Sequence, residues 1–243
     1  MLAGNDTKTI GEIAMSPRTS HRVSLAFALI VLALTAYSVT QPPTPACGGL
    51  PTTYPTIIAF ELVRSVMDLH AIFGPAPSAC RTAIAHQMDF INTADSFPFI
   101  PAYGLFLVFF FLGRREKNSG MAKLAVAITV VACLADYVEN YALFQLSPDP
   151  DDARWIPLLI GATETKWIGL GVAGALAVPL LWNGWLGWLA ALLCGIGLVA
   201  TLLTIPMSAV VGPQLSNAIA LGWLLFFAVD IRESFRRAPS AVS

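Results

Sequence analysis

The chain has 243 residues, 56% of them apolar and only 12% charged, with 14 Lys and Arg against 15 Asp and Glu for a formal net charge of -1. With a mean hydropathy of +0.69, this composition excludes an ordinary soluble domain and points to an integral membrane protein. The near-zero charge offers nothing to nucleic acid, and the four cysteines (Cys47, Cys80, Cys133, Cys194) show no CxxC spacing that would signal zinc or redox chemistry.

Residues 1–22 are polar and read as a cytoplasmic tail, followed by a first apolar span over 23–40. A cleaved signal peptide competes for that stretch, since Ala36-Tyr37-Ser38 could be a small-residue cleavage site. The long polar lead favours an uncleaved anchor. Gln41 to Thr56 is rich in Pro, Gly and Thr and reads as loop. Pro55 to Phe73 is amphipathic. Leu62, Val66, Leu69 and Phe73 recur at helical spacing, and Glu61, Arg64, Ser65 and Asp68 line a polar face. Such a helix could cap the bundle, lie on the membrane surface or bind a partner. A second polar helix is expected from Ser78 towards Phe97. Together 41–96 form a helical segment outside the membrane.

The remaining spans are expected within a five-span bundle over 97–231, followed by a tail over 232–243. They run Phe97 to Gly113, Met121 to Leu146, Trp167 to Leu181 with Lys166 at its mouth, Gly187 to Ile205, and Leu215 to Val229. Pro98 and Pro101 fall in first turns, where proline is tolerated. Gly169, Ala173 and Ala177 form a small-residue row that suits close helix packing. The expected fold is thus an all-α, six-span helical bundle with an amphipathic extracytoplasmic segment between spans one and two.

Positive charge sets the orientation. Lys8, Arg18 and Arg22, then Arg114, Arg115, Lys117 and Lys123, then Arg232, Arg236 and Arg237 all fall on one side. That side is cytoplasmic by the positive-inside rule, so both termini face the cytoplasm of a plasma membrane. Cys47 and Cys80 then lie on the oxidising face, where a disulfide between them can form. Cys133 and Cys194 read as packing residues.

The third span carries Asp136-Tyr137-Val138-Glu139-Asn140. Residues three and four apart share a helix face, so Asp136, Glu139 and Asn140 point the same way. Ionisable groups inside a span are costly and mark candidate sites. At a rise of about 1.5 Å per residue, Asp136 lies roughly 20 Å and Asn140 roughly 26 Å above Lys123. The same counting puts Asp95, Lys166, Gln214 and Asn217 in the outer third of a core about 30 Å thick. Lys166 is the expected counter-charge for Glu139 or Asp136. Either that pair only staples two helices, or it belongs to an outward-opening polar pocket. His86 with Asp89, and His70 near Asp68, are spaced as metal ligands can be but equally as surface histidines on a polar helix face, and no metal ligand set is assigned. The sequence has no Walker, HExxH, GxSxG or dinucleotide fingerprint, and no internal repeat.

The run Asp95-Ser-Phe-Pro-Phe-Ile-Pro-Ala-Tyr103-Gly104, then Asp136-Tyr-Val-Glu139-Asn140, then Thr165-Lys166-Trp167 resembles a group of uncharacterised multi-pass bacterial membrane proteins. They carry similar D-x7-Y, D-x-x-E-N and T-K elements in this order. The resemblance covers residues 57–175, with Phe60-Glu61-Leu62 also similar, and implies a shared polar site in a bacterial inner membrane protein. A looser likeness joins the chain to sterol-isomerase-like bundles, which bury acidic residues and an amide in a lipid pocket. The chain has no histidine in the spans read here.

The reading that follows is a membrane protein that binds a lipidic or amphipathic small molecule in an outer-leaflet pocket. Asp95, Tyr103, Asp136, Glu139, Asn140, Thr165 and Lys166 would line it, with no cofactor. The alternatives are an intramembrane enzyme acting on a lipid or isoprenoid, with a carboxylate as acid or base, and a scaffold or accessory subunit of a membrane-protein partner.

Overall fold

The computed structural model describes residues 15–41, 46–50, 55–75 and 78–236. Among them every regular element is helical. Four helical stretches are long and apolar enough to cross a membrane: Pro17–Thr40, Ala79–Gly113, Ser119–Leu146 and Ala153–Leu181.

Helix α1 (Pro17–Thr40) begins six residues before the apolar run does. Ser16 caps it by accepting from the Thr19 amide, and Pro17 occupies the first turn, where its missing N–H costs nothing. Part of the expected tail is therefore helix. Ser20, His21, Ser24, Ala28 and Val31 form its buried stripe.

The expected amphipathic helix is two short ones, α2 (Thr56–Glu61) and α3 (Val66–Phe73). Ser65 caps α3 at the Asp68 amide, and Asp68 accepts from the Arg64 amide and the Ser65 hydroxyl. This local bonding competes with a continuous helix and breaks it over Leu62–Ser65. Phe60, Val63, Leu69, Ile72 and Phe73 pack with Ile84 and Met88 and with Leu143, Leu146 and Leu159. The segment thus has its own core, seated on the ends of two long helices. Cys47 and Cys80 are disulfide-bonded, with Cα atoms 5.9 Å apart.

Helix α4 (Ala79–Ala94), capped by Ser78, runs into a π-turn at Asp95–Phe99 and on into α5 (Ile100–Gly113). The boundary expected at residue 97 is thus a kink within one rod. Pro98 cannot donate and crowds the carbonyl four residues back, and Phe97 takes up the distortion at φ -145°, ψ 75°.

Helix α6 (Ser119–Leu146) has two faces. Val131, Leu134, Val138 and Tyr141 are exposed, whereas Ala132, Asp136, Glu139, Asn140 and Leu143 are buried. A short 3-10 turn (Ala153–Trp155) leads into α7 (Ile156–Leu181). This helix starts well before the expected Trp167. The polar run Thr163 to Lys166 interrupts the hydropathy but not the backbone, so Lys166 is not at a mouth. It lies ten residues in, about 15 Å along the helix. A Cβ on Gly169 would come 3.0 Å from the Ala132 Cβ, so α6 and α7 touch at small residues one turn from Asp136 and Lys166.

Gly184, at φ 62° and ψ -134°, makes the turn into α8 (Trp185–Phe235). This element doubles back. A Cβ on Gly197 would lie 3.8 Å from the Ala218 carbonyl oxygen. In a straight helix those residues would be about 31 Å apart. Its final part returns to α1 and α5, where Phe226 stacks on Phe110.

Candidate functional site: a buried ionic centre

Lys166 is 4% exposed and its ammonium meets three carboxylates. It donates to Glu139 Oε1 at 2.5 Å and to Glu61 Oε2 at 2.9 Å, and stands 3.3 Å from Asp136 Oδ1. Two of its N–H bonds thus go to α2 and α6, with Asp136 one turn along α6 in ion-pair range. The Lys166 ammonium also lies 4.7 Å from the centre of the Trp167 ring.

Each neighbour is held in turn. The Tyr103 hydroxyl donates to Asp136 Oδ2 at 2.6 Å. Tyr103 is 1% exposed and stacks on Trp223 of α8, so its ring is fixed on both sides. Asn140 donates from Nδ2 to Asp95 Oδ2 at 2.7 Å and to the Ser96 hydroxyl at 3.0 Å, joining α6 to the kink. Thr163 donates to the Glu61 carbonyl at 3.1 Å, and Arg64 pairs with Glu164 at 3.0 Å, so α7 grips the end of α2 at Glu61 and the break that follows it.

Of the residues expected at the site, Asp136, Glu139 and Lys166 are in direct contact, Tyr103 binds Asp136, and Asn140 binds Asp95. Thr165 is elsewhere. It is exposed and donates back to the Gly161 carbonyl at 2.7 Å. Adjacent helical residues differ by a third of a turn, so Thr165 cannot face inward while Lys166 does. Asn217 is exposed and does not join the centre, and the side chain of Gln214 lies outside the described residues. Cys133 is partly buried and Cys194 buried, both as free thiols.

Glu61 belongs to the centre although its stretch reads as a solvated face. A sequence signal existed: it is the sole charge between Pro55 and Val63. Burial raises its carboxyl above the usual carboxylate range, and the Lys166 charge only partly offsets this.

The centre is not balanced. Four carboxylates (Glu61, Asp95, Asp136 and Glu139) gather around one lysine. Glu139 is wholly buried, and its Oε2 has no hydrogen-bond partner among the described residues. Asp136 Oδ1 lies near the lysine without hydrogen-bond geometry. Asn92, one turn before Asp95 and Ser96 and 0% exposed, has both ends of its amide unpartnered. Buried polar groups ordinarily find partners, and each exception calls for an explanation.

A second polar cluster lies at the opposite end of the bundle. His21 Nδ1 is 2.6 Å from Asp230 Oδ1, and the Ser24 hydroxyl is 2.5 Å from Asp230 Oδ2 and 2.8 Å from the Phe106 carbonyl oxygen. Asp230 is 0% exposed. Arg114 stands nearby, 3.7 Å from Glu233. A histidine is therefore buried within an apolar helix after all. It falls just before the apolar run at residue 23, as Asp230 falls just after Val229. A window that seeks apolar residues trims charged ones from its ends. Outside the spans, Asp151 accepts from His70 at 2.5 Å and from Arg81 at 2.8 Å. These hydrogen bonds, that of His70 foremost, hold its carboxyl below the usual range.

No family model, curated protein or solved structure matches this chain.

Proposed function

We propose that this is a six-span protein of the bacterial inner membrane whose outer-leaflet polar centre binds a lipidic or amphipathic small molecule. The observation that carries the reading is the surplus of buried, unpartnered polar atoms at Glu139 and Asn92 around an already paired lysine. Each costs about 1–3 kcal/mol when left unmet, and a ligand bound at the centre would meet them. The resemblance in the aspartate, tyrosine and D-x-x-E-N elements fits a shared polar site.

The spans are the four long apolar stretches together with the two arms of α8 that meet at Gly197 and Ala218. Arg18, Arg22, Arg114, Arg115, Lys117, Lys123, Arg232 and Arg236 gather at the ends away from the ionic centre, which supports cytoplasmic termini. Lys8 and Arg237 lie outside the described residues. The Cys47–Cys80 disulfide belongs to the other end, as an extracytoplasmic segment over 41–96 requires.

A second reading has one observation in its favour: Lys166 ties α2, α6 and α7 together, as the centre of a scaffold or accessory subunit would. Mass spectrometry of the purified protein separates the two. Binding predicts a co-purifying lipid or amphiphile in the wild type that is missing from a folded Asp136→Asn variant. The scaffold predicts none in either. It also predicts that combining Glu139→Gln with Lys166→Met restores the stability that each change loses alone.

A further inference from the structure

The charge of the centre, and the place where it opens, bear on what the ligand is. Asp136, Glu139 and Lys166 are buried, while Asp95 and Ser96 are half-buried at the π-turn. The centre therefore meets its surroundings at the partly buried Glu61 on α2 and at the kink. Asn92 faces the same spot. It lies one turn from Asp95 and Ser96 on the side of α4 that packs on α6, between the Asp89–Ser147 and Ser96–Asn140 hydrogen bonds. Both ends of its amide are sealed from solvent and unpartnered among the described residues.

This opening offers acceptors. They are the Asp95 carboxylate and the Ser96 hydroxyl at the surface, with the sealed Asn92 amide beneath them, reached as a head group enters, and more negative charge behind on Asp136. An alkylammonium group brings three N–H donors and the missing positive charge. A bare metal ion is a poorer fit, since the described residues contain no group of three or more His, Cys, Asp or Glu arranged to hold one. Around the opening the surface is aromatic. Phe97, thrown outward by the kink, is 79% exposed, and Tyr137 is 39% exposed. Aromatic faces attract ammonium groups and accept the first methylenes of an alkyl chain.

We propose that the kink at Asp95–Phe99 is an entry site for an ammonium-bearing amphiphile, its head on Asp95, Ser96 and Asn92 and its chain along Phe97 and Tyr137. This rests on reading the centre as a ligand site and names the class of ligand. The ammonium could belong to an aminophospholipid headgroup or to a free long-chain amine.

The test is equilibrium binding of dodecylamine, dodecanol and dodecanoate to the full-length protein in a non-ionic detergent. Dodecylamine should bind about tenfold or more tighter than dodecanol, the scale of one charge-assisted contact, and dodecanoate more weakly than either. Asp95→Asn should bring the amine down to the level of the alcohol. Asn92→Leu should also weaken the amine, yet leave the melting temperature equal or higher, because it removes a buried unpartnered amide. That stability readout separates lost binding from lost folding. Equal binding of amine and alcohol in the wild type would overturn the ammonium assignment and leave an amphiphile site standing. Binding of none of the three, in protein that also carries no lipid, would overturn both. Competition with lysophosphatidylethanolamine then assigns the source: displacement of dodecylamine indicates the phospholipid headgroup, and no displacement a free amine.

Discussion

Lys166 sits among carboxylates that outnumber it, whereas Asp230 has each of its oxygens matched by one partner, His21 on one and Ser24 on the other. Both clusters are buried and both join helices far apart in sequence. Both ends leave buried polar atoms unmet among the described residues: Ser20 Oγ, Ser234 Oγ and two Arg114 nitrogens at the end holding His21, and Asp136 Oδ1, Glu139 Oε2 and both ends of Asn92 around Lys166. They differ at the acids. Asp230, which ties the first helix to the last, is matched on both oxygens, whereas Asp136 and Glu139 each keep an oxygen without a hydrogen-bond partner. A closed network rigidifies, while a partly met one costs stability unless something else completes it. The contrast is between an acid matched on both oxygens and acids that are not.

The largest break should come from removing the one cation of the outer centre. Lys166→Met leaves Glu61, Asp136 and Glu139 facing one another without compensation, and should cost about 3–5 kcal/mol of unfolding free energy. Adding Glu139→Gln should recover only part of that loss, because Glu61 and Asp136 still face each other without the lysine, and full recovery would favour the scaffold. A double change no more stable than Lys166→Met alone would show that Glu139 does not carry the stranded charge.

Next in size is the disulfide, which has no counterpart at the inner cluster. Cys47 and Cys80 lie 33 residues apart and close the segment that delivers Glu61 to Lys166. Reduction should cost about 2–4 kcal/mol. A Cys47→Ser, Cys80→Ser protein should show the same loss and then be insensitive to reductant. Unchanged melting of the wild type on reduction would mean that the core of Phe60, Leu69 and Phe73 holds the segment unaided.

The inner cluster should lose less. His21→Leu and Asp230→Asn each break one hydrogen bond to a buried carboxylate and should cost about 1–3 kcal/mol apiece. They share one contact, so the double variant should be less destabilised than the sum of the two, by a coupling of about 0.5–3 kcal/mol. Strict additivity would dissolve the pair into separate packing residues.

The two clusters were not equally legible in the sequence. Asp136, Glu139 and Asn140 stand together on one helical face, and a count of depth brings Lys166 to their level. That arithmetic needs only the helix rise, and the structure places the four close together. It fails where local structure departs from a long helix. Glu61 was obscured because the Ser65–Asp68 cap splits its helix, and the wheel drawn through Phe73 put it on the wet side. Thr165 neighbours Lys166 in sequence, but a step of about 100° around the helix turns it to the surface. His21 and Asp230 were lost at the edges of apolar windows, where a charge looks like the end of a span. Hydropathy marks an apolar part of each of the four long stretches, but not that the second begins at Ala79 and the fourth at Ala153. The reversal within α8 was expected as two spans, but the contact of Gly197 with Ala218 could not be read from residues that carry no polar signal.

The smallest effect belongs to the segment outside the spans, where Asp151 tests whether the outer region gains from exposed pairs as well as buried ones. Its oxygens accept from His70 and Arg81 while the residue stays open to solvent. Hydrogen bonding, from His70 foremost, holds its carboxyl below the usual range, so the folded state favours the ionised form. A depressed acid contributes stability that is fully present above its unfolded value and lost as pH falls through the folded one. Wild type and Asp151→Asn should therefore differ by a small constant amount in melting temperature near neutral pH. The difference should shrink below about pH 4, where an unperturbed aspartate takes up its proton. Salt should reduce it further, as it does for exposed pairs. A difference that stays flat from neutral pH to pH 3 would mean that Asp151 acts through the shape of its loop, where its neighbour Asp149 accepts the Asp151 amide, and not through its charge.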